Sequence, residues 1–201
     1  MANNLTTLRN LFFLTLALLA GIVTAYLLSP QPNNTLNGSM LKTLGGDFTL
    51  QSRDGDVSLH DFKGKVAMIY IGYTHCPDVC PTSLAIISQA LKNLTDEQQK
   101  QVQPLFISVD PERDTPEQLA QYSHFFHPSI IGLTGSREDI DEVVAQYGAF
   151  YRMVEMKDSA MDYAVDHSSR IYLINKQGEL SKAVTHGTTP EQLKAEITAL
   201  L

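Results

Sequence analysis

The sequence predicts an α/β sandwich built on a mixed sheet flanked by helices, with an N-terminal transmembrane helix ahead of it. Three observations carry that prediction. Two near-continuous apolar runs, Val66 to Ile71 and Leu105 to Val109, read as strands covered on both faces. Each is followed by a helical pattern, and helical crossovers demand parallel neighbours, whereas the short turn at Lys176-Gln177-Gly178 demands an antiparallel pair. The uncharged run from Leu11 to Leu28 would span about 27 Å as a helix, close to the thickness of a hydrocarbon core.

That run sets the domain reading. Residues 1–10 are expected to be a cytoplasmic N-terminus, 11–28 a transmembrane anchor, 29–40 a linker and 41–201 the folded domain. Arg9 and the terminal amine favour a cytoplasmic start, which places the domain on the periplasmic side of the inner membrane. Val23-Thr24-Ala25 offers a weak small-residue cleavage pattern, so removal as a signal peptide stays open. No cysteine follows the run, so lipid attachment there is excluded. Pro30, Pro32, Asn33, Asn34, Asn37 and Gly38 give the next stretch the composition of a linker.

The 201 residues suffice for one single-core domain and an appendage, and 43% hydrophobic with 18% charged residues is ordinary globular composition. A net charge of -7, with lysines and arginines scattered, excludes the electrostatic footprint of a nucleic-acid binder.

Along the domain, Asp54-Gly55 turns an opening hairpin between 48–50 and 57–59. After the strand at 66–71, Leu84, Ile87, Leu91 and Leu94 recur at helical spacing, which predicts a helix starting around Cys76 to Pro81 and ending near Asn93 or Leu94. Thr115-Pro116-Glu117-Gln118 combines an N-cap, a proline at the first helical position and a capping-box Gln. Ile130 to Leu133 reads as a short extended segment, and Ser136-Arg137-Glu138-Asp139 as a helix start with Gly148 placed to end that helix. Arg170 to Ile174 and Leu180 to Val184 form the closing hairpin, and Thr189-Pro190-Glu191-Gln192 opens a C-terminal helix. This order of elements is that of a thioredoxin-like domain with additions.

The chemistry is expected where the first buried strand hands over to the first helix. Cys76 and Cys80 are the chain's two cysteines, and a four-residue spacing on a nascent helix puts their α-carbons about 6 Å apart on one face. They can close a disulfide or hold one soft metal ion. A structural bridge across three intervening residues restricts the unfolded chain little, so function is favoured. A helix N-terminus also lowers a thiol's pKa, and thiolate is the form that ligates or attacks.

A third ligand would complete a trigonal site, and six histidines compete for it. His167 lies just before the strand at 170–174, on a loop at the strand-end edge where ligand groups gather, and Asp166 beside it could orient the imidazole. Asp78, between the cysteines, could offer an outer oxygen or simply stabilise the helix start. His75 reads as facing away or tuning thiol acidity, His124 and His127 as an aromatic helix end, His60 and His186 as turn residues. The Asp110-Pro111-Glu112-Arg113-Asp114 loop reads as solvated. Met153, Met156 and Met161 fit filler and surface.

Cys76-Pro77-Asp78-Val79-Cys80-Pro81, the run from Phe106 through Asp110-Pro111-Glu112-Arg113-Asp114 to Pro116, and Val165-Asp166-His167-Ser168 occur in the order found in one family. From about residue 44 to the C-terminus the chain resembles the Sco/SenC family of copper-binding assembly proteins. The resemblance implies one copper per chain, as Cu(I) or Cu(II), held by Cys76, Cys80 and His167. It implies a membrane-anchored metallochaperone for the copper A centre of cytochrome c oxidase subunit II or a related terminal oxidase. An upstream copper donor or thiol reductant would be a further partner. The alternative is a thiol:disulfide reductase that keeps client cysteines reduced, with Cys76 attacking and Cys80 resolving. A peroxidase on the same fold has no active-site motif to support it.

Overall fold

A computed structural model describes residues 2–28, 44–156 and 162–201, with side chains of the first segment described at 9–22 and 24. The predicted linker at 29–40, the domain start at Leu41 and Met161 lie outside the described residues. The chain divides into two compact units, Met1–Asn34 and Thr35–Leu201.

In the first unit α1, Ala2–Leu28, is one helix of 27 residues that begins well before the uncharged run. Among the described residues no helix is long and apolar enough to cross a membrane.

The second unit is built on a five-stranded sheet. The opening hairpin is β1, Thr49–Ser52, and β2, Gly55–Ser58, turning at Gly55 with φ +123°. A 3-10 turn over Leu59–Phe62 leads to β3, Val66–Gly72, in which every residue is buried, as its unbroken apolar composition predicts. Then come α2, Val79–Lys92, the one-turn α3, Asp96–Gln99, and β4, Val102–Ser108. β4 starts earlier than predicted because Pro104 sits inside it; β5 pairs only with Leu105 to Ile107, so the missing N–H breaks no ladder on that side. α4, Pro116–Phe126, β5, Ile131–Leu133, and α5, Arg137–Gln146, follow.

The closing elements are β6, Tyr151–Glu155, β7, Tyr163–His167, β8, Ile171–Ile174, β9, Leu180–Val184, and α6, Pro190–Thr198. The sheet order is β5-β4-β3-β8-β9. β3 and β4 are parallel, as are β4 and β5, while β8 lies antiparallel to both β3 and β9. The sheet is therefore mixed, as the helical crossovers and the closing turn require. Capping boxes form at Thr115 with Gln118 and Thr189 with Gln192, and Gly148 ends α5 at φ +58°. α4 approaches β5 so closely that a Cβ on Gly132 would lie 2.7 Å from the Leu119 carbonyl oxygen.

Two expectations fail here. The segment before β8 contains an antiparallel hairpin, β6 with β7, forming its own two-stranded sheet, so His167 is a strand residue and not a loop residue. The Asp110 to Asp114 loop is not solvated. Asp110 and Asp114 have no exposed surface. Asp114 accepts hydrogen bonds from the Thr74 amide (2.9 Å), the Thr74 hydroxyl and the Ser108 hydroxyl (2.6 Å), tying the loop to the segment that carries Cys76. Asp110 pairs with Arg113 at 2.5 Å. Buried carboxylates are tolerated only with such a complement of donors.

Asp114→Ala orphans three donors at once, and is expected to lower the free energy of unfolding by about 3 kcal/mol. A urea titration checks this; a midpoint equal to the parent's would mean the loop is held by other contacts.

Candidate metal centre

β3 ends at Gly72, and the packing of the turn beyond it depends on that residue having no side chain. A Cβ there would lie 2.6 Å from the Cys80 sulfur. The Cys80 thiol therefore tucks against the strand, with no exposed surface, while Cys76 keeps only 8%. Both are free thiols. The helix begins at Val79, inside the predicted window from Cys76 to Pro81, with Asp78 at its N-cap at φ -140°, ψ -73°. Cys76 thus lies in the turn before the helix and Cys80 in its first turn, so the sulfurs converge across the helix start and not along one face. Pro81 falls within the first turn, where a proline is tolerated.

His167 reaches the pair from the far end of the domain. It is the last residue of β7, opposite Tyr151. Its Nε2 lies 3.2 Å from Cys80 Sγ, and the donor atoms of Cys76, Cys80 and His167 all fall within 4.8 Å of one another. Among the described residues this is the one group of three or more such side chains able to hold a metal ion. The imidazole Nδ1 is 3.0 Å from the Ser168 carbonyl oxygen, which can only accept. Nδ1 therefore carries a proton, and Nε2 is the ring nitrogen turned toward the sulfurs. Tyr73 and Tyr70 hold the ring edge-on at centroid distances of 5.6 and 6.4 Å.

The two cysteines divide their protons unequally. Cys76 is held far below the usual thiol range, to about 3, first by the proton that Cys80 donates to it, and then by His167 and the amides of Asp78 and Cys80, against the opposing effect of burial. Cys80 is pushed strongly upward by burial and then by the neighbouring Cys76 charge. Together the pair is one thiolate and one thiol sharing a proton.

The remaining predicted residues fall elsewhere. Asp166 does not orient the imidazole; it pairs with Arg152 at 2.6 Å on the exposed face of the hairpin, since adjacent strand residues face apart. The Asp78 side chain makes no capping hydrogen bond, and it is the backbone N–H of this residue that reaches Cys76. His75 is half-exposed, 3.6 Å from Asp114. His60 lies in the 3-10 turn, His124 in α4 and His127 at its C-cap. His186 Nδ1 is 3.5 Å from the Ser83 hydroxyl. Met153 and Met156 are exposed surface residues. Sequence reasoning missed Gly72, Tyr73 and the Ser168 carbonyl. The Gly-Tyr pair between strand and cysteines was the available signal, since a glycine ending a buried strand marks a close approach.

A family model described as SCO1/SenC matches residues 37–201. The bovine mitochondrial protein SCO2 homolog is 43% identical over 150 residues, covering 74% of this chain and 56% of its own length. Copper-bound ScoI from Bradyrhizobium japonicum is 40% identical with a TM-score of 0.71, covering 79% of this chain and 99% of that one. BsSco, described as a member of the Sco family of cytochrome c oxidase assembly proteins with a disulfide switch, is 28% identical with a TM-score of 0.62, covering 80% and 94%. These likenesses bear out the thioredoxin-like reading of the folded domain as an α/β fold with a mixed sheet.

The unequal proton sharing has a measurable sign. The Cys76 contribution to stability is complete above an unfolded thiol pKa of about 8.5 and is lost as pH falls toward and through the folded value; that of Cys80 is complete below about 8.5 and is lost as pH rises. At pH about 6, where an ordinary thiol is protonated, ultraviolet thiolate absorbance should report one thiolate per metal-free chain, abolished by Cys76→Ser. An absorbance that develops only near the ordinary thiol pKa would contradict the assignment.

Proposed function

The chain belongs to the SCO1/SenC family, and on that premise we propose that it is a copper metallochaperone, taking one copper, Cu(I) or Cu(II), as cargo on Cys76, Cys80 and His167. The observation that carries the reading is the convergence of two sulfurs and one imidazole nitrogen within 4.8 Å. Metal–thiolate bonds are about 2.3 Å long, so two sulfurs on one ion are separated by at most about 4.6 Å, and donor atoms within 4.8 Å need to close by only a few tenths of an ångström to share it. The donor set fits as well: soft thiolates favour Cu(I), and imidazole suits copper.

Loading and release follow from the protons. Cys76 is already anionic and offers the first bond without a proton cost. Cys80 must give up its proton when metal binds, so uptake releases a proton and is favoured as pH rises. In delivery, a client thiolate takes one position on the ion while one of the chain's ligands leaves. Cys80 regains its proton on departure, and its raised proton affinity favours release. The client is the copper A centre of cytochrome c oxidase subunit II, or a related terminal oxidase. BsSco is described as belonging to a family of cytochrome c oxidase assembly proteins, which supports this choice. An upstream copper donor or thiol reductant charges the site.

Residues 11–28, whose side chains are described only at 11–22 and 24, serve on the sequence pattern as a single-pass anchor in the inner membrane, between a cytoplasmic 1–10 and a linker at 29–40, with the 41–201 domain on the periplasmic side. Support comes from the uncharged 18-residue run and from Leu11, Phe12, Phe13, Leu14, Leu16, Leu18, Leu19 and Ile22, all more than half exposed. Apolar side chains exposed on successive helix faces need an apolar solvent.

A second reading rests on the same proton distribution. The Cys76 thiolate attacks one sulfur of a client disulfide, forming a mixed disulfide and expelling a client thiolate. Cys80 then loses its proton and attacks the Cys76 sulfur, expelling the second client thiolate. The client gains two electrons and the pair closes as a disulfide. This reading gives His167 no task.

Titration of the full chain in detergent with Cu(I) and with Cu(II) decides between them. One equivalent should bind, with thiolate-to-copper charge transfer in the Cu(II) form; His167→Ala should weaken binding by about 100-fold, and either Cys→Ser should abolish the band. Stoichiometric binding that survives loss of both sulfurs would overturn the chaperone reading. A Cys80→Ser chain trapped on the oxidase subunit, with His167→Ala harmless in cells, would favour the reductase. For the anchor, the chain should stay with the membrane fraction through a high-salt carbonate wash; a chain released by that wash would refute it.

A further inference from the structure

Among the described residues, the hairpin that carries His167 makes backbone-to-backbone hydrogen bonds only within itself, since β6 and β7 form a separate two-stranded sheet. Isolated two-stranded hairpins are marginal in water, so its position against the core must come from side chains. Those side chains converge at the start of β7. The Tyr163 hydroxyl donates to Asp110 at 2.7 Å, the Arg113 guanidinium lies 3.7 Å over the Tyr163 ring, and Arg113 Nη1 donates to the Tyr163 carbonyl at 3.1 Å. Asp110, fully buried, receives Arg113 Nε at 2.5 Å. Two residues along β7, the Val165 amide donates to the Tyr73 hydroxyl at 3.3 Å, and the same Tyr73 ring stands edge-on to His167. Arg113 lies 5.8 Å from that Tyr73 ring as well.

We propose that Asp110, Arg113 and Tyr163 form a latch that holds the β6–β7 hairpin down and thereby positions His167 over the two cysteines, so that its strength sets how fast the imidazole can withdraw and copper can leave. The proposal rests on the three-ligand reading above. Asp110 is not among the candidate ligands, and the latch groups act through the strand. Burial and the Asp110 acceptor push the Tyr163 phenol up to about 12, so it stays a proton donor throughout the neutral range. The hydrogen bonds that Asp110 accepts are charge-assisted, with a desolvated carboxylate as acceptor, and the guanidinium adds a cation–π contact to the Tyr163 ring.

Tyr163→Phe removes the one hydroxyl and keeps the ring under Arg113. In the metal-free full chain, amide hydrogen exchange at 151–155 and 163–167 should accelerate about tenfold while β3 and β4 keep their protection. In the copper-loaded chain, withdrawal of the metal by a chelator should speed up by about tenfold, the counterpart of losing one hydrogen bond to a charged group. Arg152→Ala, which breaks the exposed pair with Asp166 on the same hairpin, should change neither. Uniform loss of protection across the sheet with an unchanged withdrawal rate would make the cluster merely structural and overturn the latch. His167→Ala separates this failure from that of the copper site: if removing the imidazole alters neither spectrum nor withdrawal rate, the ligand assignment has failed, whereas a normal His167→Ala effect with a silent Tyr163→Phe sinks only the latch.

Discussion

Burial of the Cys80 sulfur against Gly72 is the contact on which the character of the site depends. With no solvent around it and no side chain opposite, Cys80 cannot easily carry charge. The negative charge is displaced onto Cys76, which sits at the helix start where two amides and a donated proton receive it. Two chemically identical residues four positions apart thereby acquire opposite protonation. A redox pair uses that asymmetry directly, and a metal ligand set starts from it with one thiolate ready and one proton still to be lost, which is why the two readings share the same residues. The imidazole separates them, because thiol exchange has no use for a third donor turned toward the sulfurs.

Support for the site comes from the charged loop after β4. Asp114 is spent on Thr74 and Ser108, and so fixes the turn that delivers Cys76. Asp110 is spent on Arg113 and Tyr163, on the side that delivers His167. One loop thus ties both halves of the ligand set to the end of β4. Desolvating two carboxylates is costly, and only the dense set of donors around them makes it tolerable. Such groups enforce a unique arrangement more than they add stability.

Much of the frame was legible because its signals are local. β3 declares itself by seven consecutive residues that are all buried, and the helices α4 and α6 by capping boxes that span four residues. The start of α2 was legible only as a window from Cys76 to Pro81, because the backbone of Asp78, which departs from helix, fixes it at Val79, and residue types alone do not encode that departure. β6 and β7 were missed because they are half-exposed, with Arg152, Met153 and Asp166 facing water, so neither apolar run nor clean alternation marks them. The burial of Asp110 and Asp114 was illegible for a different reason. Their partners Thr74 and Tyr163 lie 40 and 53 residues away, and only the fold brings them together. His167 followed from the family motif; its own neighbourhood in the sequence merely permitted the role.

The ligand set is mechanically lopsided. The sulfurs are carried by the end of a fully buried central strand and the first turn of a packed helix, where displacement would disturb close-packed core. The imidazole is carried by a hairpin fastened to the core through side chains at a few points. Local opening free energies follow such differences in burial and bonding, so the imidazole side opens at lower cost than the sulfur side. On the proposed three-ligand site, an incoming thiolate would find the nitrogen position vacated first, with the ion still held by two sulfurs. Exchange by stepwise replacement needs a vacancy that does not free the ion, and a rigid pair opposed by a hinged third donor supplies one.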